Sequence, residues 1–197
     1  MKKWLIPVII IGVIAFAIYR MGVGFYNTAV DLEQDSKTAW SNVESSYQRR
    51  ADLIPNLVST VKGYAAHEKE TLEGVIKARA AATQTTIDPT NITPEKMAAF
   101  QKAQQGLSGA LSRLLVTVEK YPELKANQNF LNLQDELSDT ENKIQAARRF
   151  YNNNVQDFNT KLQVFPTNII AKQLNFVARD FFEIEDPKEK KNIKVEF

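Results

Sequence analysis

The chain has 197 residues, enough for one domain with a hydrophobic core, and its hydrophobic and charged fractions of 44% and 24% are ordinary for a globular protein. It contains no Cys, which excludes disulfides, thiolate catalysis and cysteine metal sites. Lys2, Lys3 and Arg20 account for the formal charge of +2, because the rest of the chain carries 22 basic and 23 acidic side chains, without the basic excess of a nucleic-acid-binding protein.

Residues 1–23 are predicted to form a transmembrane anchor. The run over 4–19 is apolar and uncharged, and further apolar residues follow Arg20, whose side chain can reach the membrane interface from a helix end. The alternative is a signal peptide cleaved after the A-x-A pattern of Ala15 and Ala17. We favour the uncleaved anchor because the apolar run continues past that pattern.

A helical bundle is predicted over 24–176. Its first helix shows apolar residues at intervals of seven, and this stripe continues to Ala82, which predicts one long helix from Gly24 to Ala82 that has to bend or project. The heptad positions are Trp40, Tyr47, Ile54 and Val61. The segment 83–92 is rich in Thr, Asn, Asp and Pro, which is typical of a loop.

Two more long helices and a short one follow. Thr93 is the predicted N-cap of the next helix, which ends at Pro122, and a further helix runs from about Phe130 to Phe165. Residues 168–176 are predicted as a short fourth helix with Ile169, Ile170, Leu174 and Phe176 turned inward. No strand pattern is present, so the fold class is an all-α antiparallel bundle of three long helices and a short fourth. The charged segment 177–197 is predicted to be a flexible tail.

Pro55 lies within the first helix and allows two interpretations. Either Asp52 is the N-cap of a new helix, or Pro55 interrupts a continuous helix and leaves the carbonyl of Ala51 without its usual N–H donor. The heptad register passes through Pro55 without a slip, which favours the continuous, kinked helix.

Two arginines, Arg50 and Arg148, occupy positions in the apolar seams. A buried arginine needs a partner that compensates its charge. The nearest candidate partners by helix position are Glu141, Glu44 and Asp52. The favoured interpretation is a polar layer that fixes the register of the bundle, and the alternatives are an anion or carboxylate site between helices or a surface arginine. The candidate residues for the layer or for a partner site are Arg49, Arg50, Asp52, Glu141, Arg148 and Asn152.

No pattern of catalytic, cofactor-binding or metal-binding residues is present. His67 is the one histidine, and its neighbour Glu68 points elsewhere on a helix, so a metal site is not expected. The sequence has no phosphate-binding glycine loop and no nucleophile motif. We therefore expect neither an enzyme nor a cofactor.

Three long stretches resemble the LemA family, in the same order. They read QRRADLIPNLVSTVKGYAAHE, YPELKANQNFLNLQDELSDTENKIQAARRFYNN and FNTKLQVFPTNIIAKQLNF, and the similarity extends over 26–176 and the anchor. The resemblance implies a single-pass protein of the bacterial inner membrane with a four-helix type of bundle and no established active site. Some similar proteins belong to the magnetosome membrane machinery. Asn175 stands where glycine is usual, which predicts a local difference in the turn there.

The membrane orientation is predicted in opposite senses by two arguments. Lys2 and Lys3 place the N-terminus in the cytoplasm by the positive-inside rule. The resemblance implies a short N-terminus outside and the bundle in the cytoplasm. The function expected from all these features is a non-enzymatic, membrane-anchored scaffold or adaptor with unidentified protein partners and no nucleic acid. The alternatives are a ligand-binding or sensory module at an Arg50/Arg148 layer, or membrane remodelling by homo-oligomers.

Overall fold

A computed structural model of the protein describes residues 4–182. Within that range the chain forms helices and no strands, which confirms the all-α bundle predicted from the sequence. The helices are α1 (Leu5–Tyr64), α2 (Lys69–Gln84), α3 (Pro94–Val118), α4 (Pro122–Lys125), α5 (Gln128–Gln163) and α6 (Thr167–Gln173).

The first helix, α1, is unbroken over 60 residues, which corresponds to about 90 Å. Its N-terminal part is apolar and long enough to cross a membrane, and the side chains there do not pack against the rest of the protein. The helix passes through Pro55 without ending, as the heptad register predicts. The candidate membrane segment and the bundle therefore share one continuous helix.

The prediction that this helix reaches Ala82 is wrong. The chain turns after Tyr64, where the Ala65 N–H donates to the Val61 carbonyl at 2.8 Å and the Glu68 N–H donates to the Ala65 carbonyl at 3.1 Å. The apolar stripe is thereby divided between α1 and α2, so that both parts can be buried in one core. The seven-residue period is the same before and after the turn, which is why it did not reveal the reversal.

Helices α1 and α5 lie antiparallel along the bundle. Arg50 pairs with Glu141, and the rings of Trp40 and Tyr151 lie 5.5 Å apart, both in the middle part of the bundle. Phe25 belongs to the same buried cluster as Leu162, Phe158, Ala29 and Ala171 at one end. The end of α5 therefore lies beside the residues of α1 that directly follow the apolar segment. We call this end of the bundle the proximal end.

The remaining helix boundaries follow local signals. Thr93 caps α3, as predicted, and its hydroxyl accepts from the Lys96 N–H at 3.3 Å. Helix α3 ends at Val118, slightly before the predicted Pro122, which instead begins α4. Asn127 caps α5 by accepting from the Phe130 N–H at 3.1 Å.

Residues 174–182 follow α6 as a non-helical segment that returns along the bundle. Asn175 has a φ of 58°, the left-handed conformation that glycine favours and that asparagine tolerates best among the other residues. Phe182 is buried in the middle of the core with Trp40 and Tyr151. The predicted tail over 177–197 thus begins with residues that pack on the bundle, and its remainder lies outside the described residues.

Candidate functional site

Arg50 lies in a polar layer inside the bundle. Its side chain is 5% exposed, and its Nη1 donates to the Ser108 hydroxyl at 3.0 Å and to a Glu141 carboxylate oxygen at 3.2 Å. Its Nη2 donates to the side-chain oxygen of Gln104 at 2.9 Å and to the Gln104 carbonyl at 3.3 Å. The guanidinium also lies 5.0 Å from the ring centre of Tyr47. The layer thus joins α1, α3 and α5.

Gln104 connects this layer to a fourth helix. The side chain is buried, and its amide nitrogen donates to the Ala82 carbonyl at 3.3 Å. Ala82 is in the last turn of α2, where carbonyls lack partners within the helix. One buried glutamine therefore accepts from Arg50 and caps the end of α2. Gln104 was not predicted from the sequence.

The carbonyl that Pro55 leaves without its N–H donor is satisfied by Arg79 of α2. The Arg79 Nε donates to the Ala51 carbonyl at 2.8 Å. Pro55 has no N–H with which to form the usual bond to the carbonyl four residues before it. The proline therefore provides an acceptor that helps to fix α2 on α1, and Arg79 is a positioning residue that was not predicted.

The other predicted residues near Arg50 do not pair with it. Arg49 and Asp52 are exposed on α1, and both line a shallow surface depression with Glu44. Asp52 accepts a hydrogen bond from the Gln48 side chain at 2.8 Å. Of the three candidate carboxylates, Glu141 is the one that reaches Arg50, because α5 faces this side of α1.

Arg148 and Asn152 meet around Phe182. Arg148 is buried, and its guanidinium lies 4.8 Å from the ring centre of Phe182. Asn152 donates to the Phe182 carbonyl at 3.1 Å and accepts from the Phe182 N–H at 2.8 Å. These contacts lie two helical turns along α5 from Glu141, at a different level from the Arg50 contacts.

Asn159 holds a second backbone position in the same way. Its side chain donates to the Arg179 carbonyl and accepts from the Arg179 N–H, both at 2.8 Å. Seven residues of α5 separate Asn152 from Asn159, or about 10.5 Å, and three extended residues cover about 10 Å. The two asparagines therefore match the spacing of residues 179 and 182 on an extended segment that runs antiparallel to α5.

Arg179 joins this segment to the rest of the bundle. Its guanidinium donates to the Pro89 carbonyl at 3.1 Å and to a Glu33 carboxylate oxygen at 3.0 Å. Burial alone would raise the pKa of Glu33, but the hydrogen bonds and charges of Lys37 and Arg179 hold this pKa below its ordinary value. The contacts tie α1, the loop before α3 and the C-terminal segment together.

Tyr151 completes the contacts of the segment with α5. Its hydroxyl donates to the Asp180 carbonyl at 3.1 Å, and burial raises the pKa of Tyr151 to about 12. The neutral form is favoured because a buried phenolate would lose its hydration. All of these interactions position the protein's own backbone and side chains.

Within residues 4–182 no three His, Asp or Glu side chains converge as a metal site would require. His67 is exposed in the turn between α1 and α2. Most of the buried polar groups around Arg50 and Phe182 bond to neighbouring groups of the same chain, although the buried Arg50 Nε has no hydrogen-bond partner. The arrangement is that of a largely internally paired bundle.

Comparison with known proteins finds similar sequences in several bacteria. A family model described as the LemA family matches residues 39–197. Protein LemA of Metamycoplasma hominis is 28% identical over 169 residues, which cover 85% of this chain and 73% of that protein. Magnetosome protein MamQ 2 of Paramagnetospirillum magneticum is 26% identical over 177 residues, and MamQ of Magnetospirillum gryphiswaldense is 24% identical over 174 residues. Both matches cover 80% of this chain and 64% of the magnetosome protein.

Proposed function

Since the chain belongs to the LemA family, we propose that it is a non-enzymatic, membrane-anchored scaffold that presents a rigid helical bundle to protein partners at the membrane surface. The observation that carries this proposal is the continuity of α1, which runs from the apolar segment into the core of the bundle without a break. An unbroken helix transmits orientation as well as position, so partners would meet the bundle at a fixed height and angle.

The internal pairing of the polar groups supports the same proposal. Arg50 is held by three side chains of its own bundle, and the Phe182 backbone is held by Asn152. Such networks fix the register of packed helices. We therefore assign the Arg50 layer to the architecture of the scaffold, in line with the favoured interpretation of the sequence.

The bundle is proposed to face the cytoplasm, with residues 1–3 outside, as the family resemblance implies. The absence of Cys from the chain makes this testable by a single substitution at an exposed site of α3, Val116→Cys. A membrane-impermeant maleimide should label it only after the cells are opened. Labelling in intact cells would show the opposite orientation, with the bundle outside the cytoplasm. Intact mass of the purified protein would show whether the segment before Ala17 is retained.

The scaffold proposal is tested by crosslinking the full chain in cells and identifying captured proteins from the membrane fraction. A variant with a flexible Gly-Ser insertion after Gly24 is the matched control, because it keeps the anchor and the bundle but uncouples their orientation. We expect reproducible partners with the native chain and a weaker recovery with the insertion. Absence of any partner above background, or substrate turnover that depends on the Arg50 layer, would overturn the proposal.

A further inference from the structure

We propose that residues 164–169, the turn between α5 and α6 together with the start of α6 (called the turn below), form a second membrane contact that lies in the headgroup region of the bilayer holding the anchor. The inference rests on the proposed anchoring by α1 and adds a contact that the anchor alone does not require. The partner surface is lipid, and the contact fixes the tilt of the bundle.

The turn exposes three large apolar side chains. Phe165 is 81% exposed, Ile169 57% and Val164 45%. The sequence predicts Ile169 to point inward with Ile170, but the structure turns Ile169 outward and packs Ile170 against the proximal cluster. One phenylalanine and two aliphatic residues thus expose apolar side chains within six residues of chain, a surface that water solvates poorly.

The position of the turn along α1 matches the edge of the membrane. A hydrocarbon core of about 30 Å takes about 20 helical residues, so a span that begins near Leu5 ends near Gly24. Phe25 packs in one cluster with Leu162, and its ring lies 6.0 Å from that of Phe176. Residues 164–169 continue from Leu162 toward the membrane, and they are therefore level with the interface.

The charge pattern changes at the same height on α1 and at the end of α5. No Asp or Glu precedes Asp31 on α1, and none lies between Asp157 and Asp180. In the antiparallel packing of α1 and α5, Ala29 and Phe158 belong to one cluster, so both acid-free stretches end at one level. Within residues 4–182, the charged side chains on the membrane side of this level are all cations.

Two lysines complete an interfacial surface around the turn. Lys161 is in the last turn of α5, and Lys172 is in the last turn of α6. Lysines beside exposed apolar residues are the side chains that bind at a membrane surface, because their ammonium groups interact with lipid phosphates while the apolar residues enter the boundary. The occupant that fits this combination is a phospholipid surface, since a protein partner would be expected to match the lysines with acidic groups.

The test uses single cysteines in the full chain, which has none of its own. Phe165→Cys and Ile169→Cys carry an environment-sensitive fluorophore, in vesicles of phosphatidylcholine with phosphatidylglycerol. Ile11→Cys reports on the anchor, and Val116→Cys, an equally apolar and exposed position about 50 Å from the proximal end, is the matched control. Brominated lipids quench labels in the membrane, and iodide quenches labels in water.

We expect a blue shift and quenching by brominated lipid at 165 and 169, and iodide quenching at 116. The result should be independent of the protein-to-lipid ratio. Shielding at 165 that is present only at high protein density would show that a second copy covers the turn, and it would overturn the lipid contact. A label at 165 that stays in water while the label at 11 is embedded would refute this inference but not the anchor. Exposure of the label at 11 would refute the proposed anchoring itself.

Discussion

Replacement of Arg50 by methionine is the most direct test of the polar layer. Methionine keeps an unbranched side chain of similar length but provides no donor, so the hydrogen bonds to Gln104, Ser108 and Glu141 are all lost. Glu141 is 46% exposed and can be hydrated by water, and the Ser108 hydroxyl still donates to the Gln104 carbonyl at 3.2 Å. The buried side-chain oxygen of Gln104 loses its Arg50 donor.

The expected loss of stability follows from the buried side-chain oxygen of Gln104. A buried acceptor without a donor costs about 1–3 kcal/mol, and removal of the buried charge offsets part of the cost. We expect Arg50→Met to lower the free energy of unfolding by about 1–2 kcal/mol. Gln104→Met should cost about 2–4 kcal/mol, because it removes a bond to a charged donor and also the cap on the Ala82 carbonyl.

The coupling between the two residues is the decisive quantity. In the double variant the Gln104 oxygen is absent, so Arg50→Met no longer leaves it without a donor. The combined cost should therefore fall short of the sum of the single costs by about 1–3 kcal/mol. Glu141→Gln is the matched control at the half-exposed partner, and it should cost less than about 1 kcal/mol.

The assay is urea unfolding of the full chain in mild detergent, in a Trp4→Phe background so that the fluorescence reports on Trp40, which is fully buried in the bundle. Circular dichroism at helical wavelengths provides the second probe. Additive costs within about 0.5 kcal/mol, or a cost of Arg50→Met below about 0.5 kcal/mol, would refute the reasoning and place Arg50 outside the stabilising network.

Three further predictions concern other buried groups. Arg79→Met should cost about 1–3 kcal/mol, but less in a Pro55→Ala background, where the alanine N–H can bond to the Ala51 carbonyl, and a thermodynamic cycle measures the difference. Arg148→Ala should cost about 3–5 kcal/mol in the same urea assay. Because the folded-state pKa of Tyr151 is raised from 10.0 to about 12, its contribution is complete below pH 10 and is lost as the pH rises to 12, and Tyr151→Phe should flatten that decline.

Each of these predictions has a result that contradicts it. Equal costs of Arg79→Met in the two backgrounds would show that the cost of losing Arg79 does not come from the Ala51 carbonyl that Pro55 leaves without a donor. A cost of Arg148→Ala below about 0.5 kcal/mol would show that the guanidinium is exposed in solution. An alkaline decline in Tyr151→Phe that equals the native one would assign the decline to other groups.

Much of the fold could be predicted because helical period and capping are local properties. Thr93 marks the start of α3, and the heptads follow the buried faces of α1, α3 and α5. The turn after Tyr64 was not predicted, because the apolar period continues across it. The outward position of Ile169 was not predicted either, because α6 is too short for a period to distinguish its faces.

The candidate site was predicted only in part. Arg50, Arg148 and Glu141 stood out because charged residues in an apolar seam require partners. Gln104 and Asn159 carry no formal charge and lie in sequence stretches with other amides, so nothing local distinguished them. Their significance comes from groups twenty or more residues away, the Arg50 guanidinium and the Arg179 backbone.

The sequence by itself determined the apolar segment, the all-α class and the helical seams with their buried arginines, because each depends on residues within a few turns of one another. Tertiary structure alone decided where the chain reverses, that Arg79 reaches the Ala51 carbonyl, and that Asn152 and Asn159 hold the C-terminal segment. The physical reason is that a hydrogen bond between distant residues forms only after packing has brought the helices together. The helical period indicates which face of a helix is buried, but it does not indicate which other helix packs against that face.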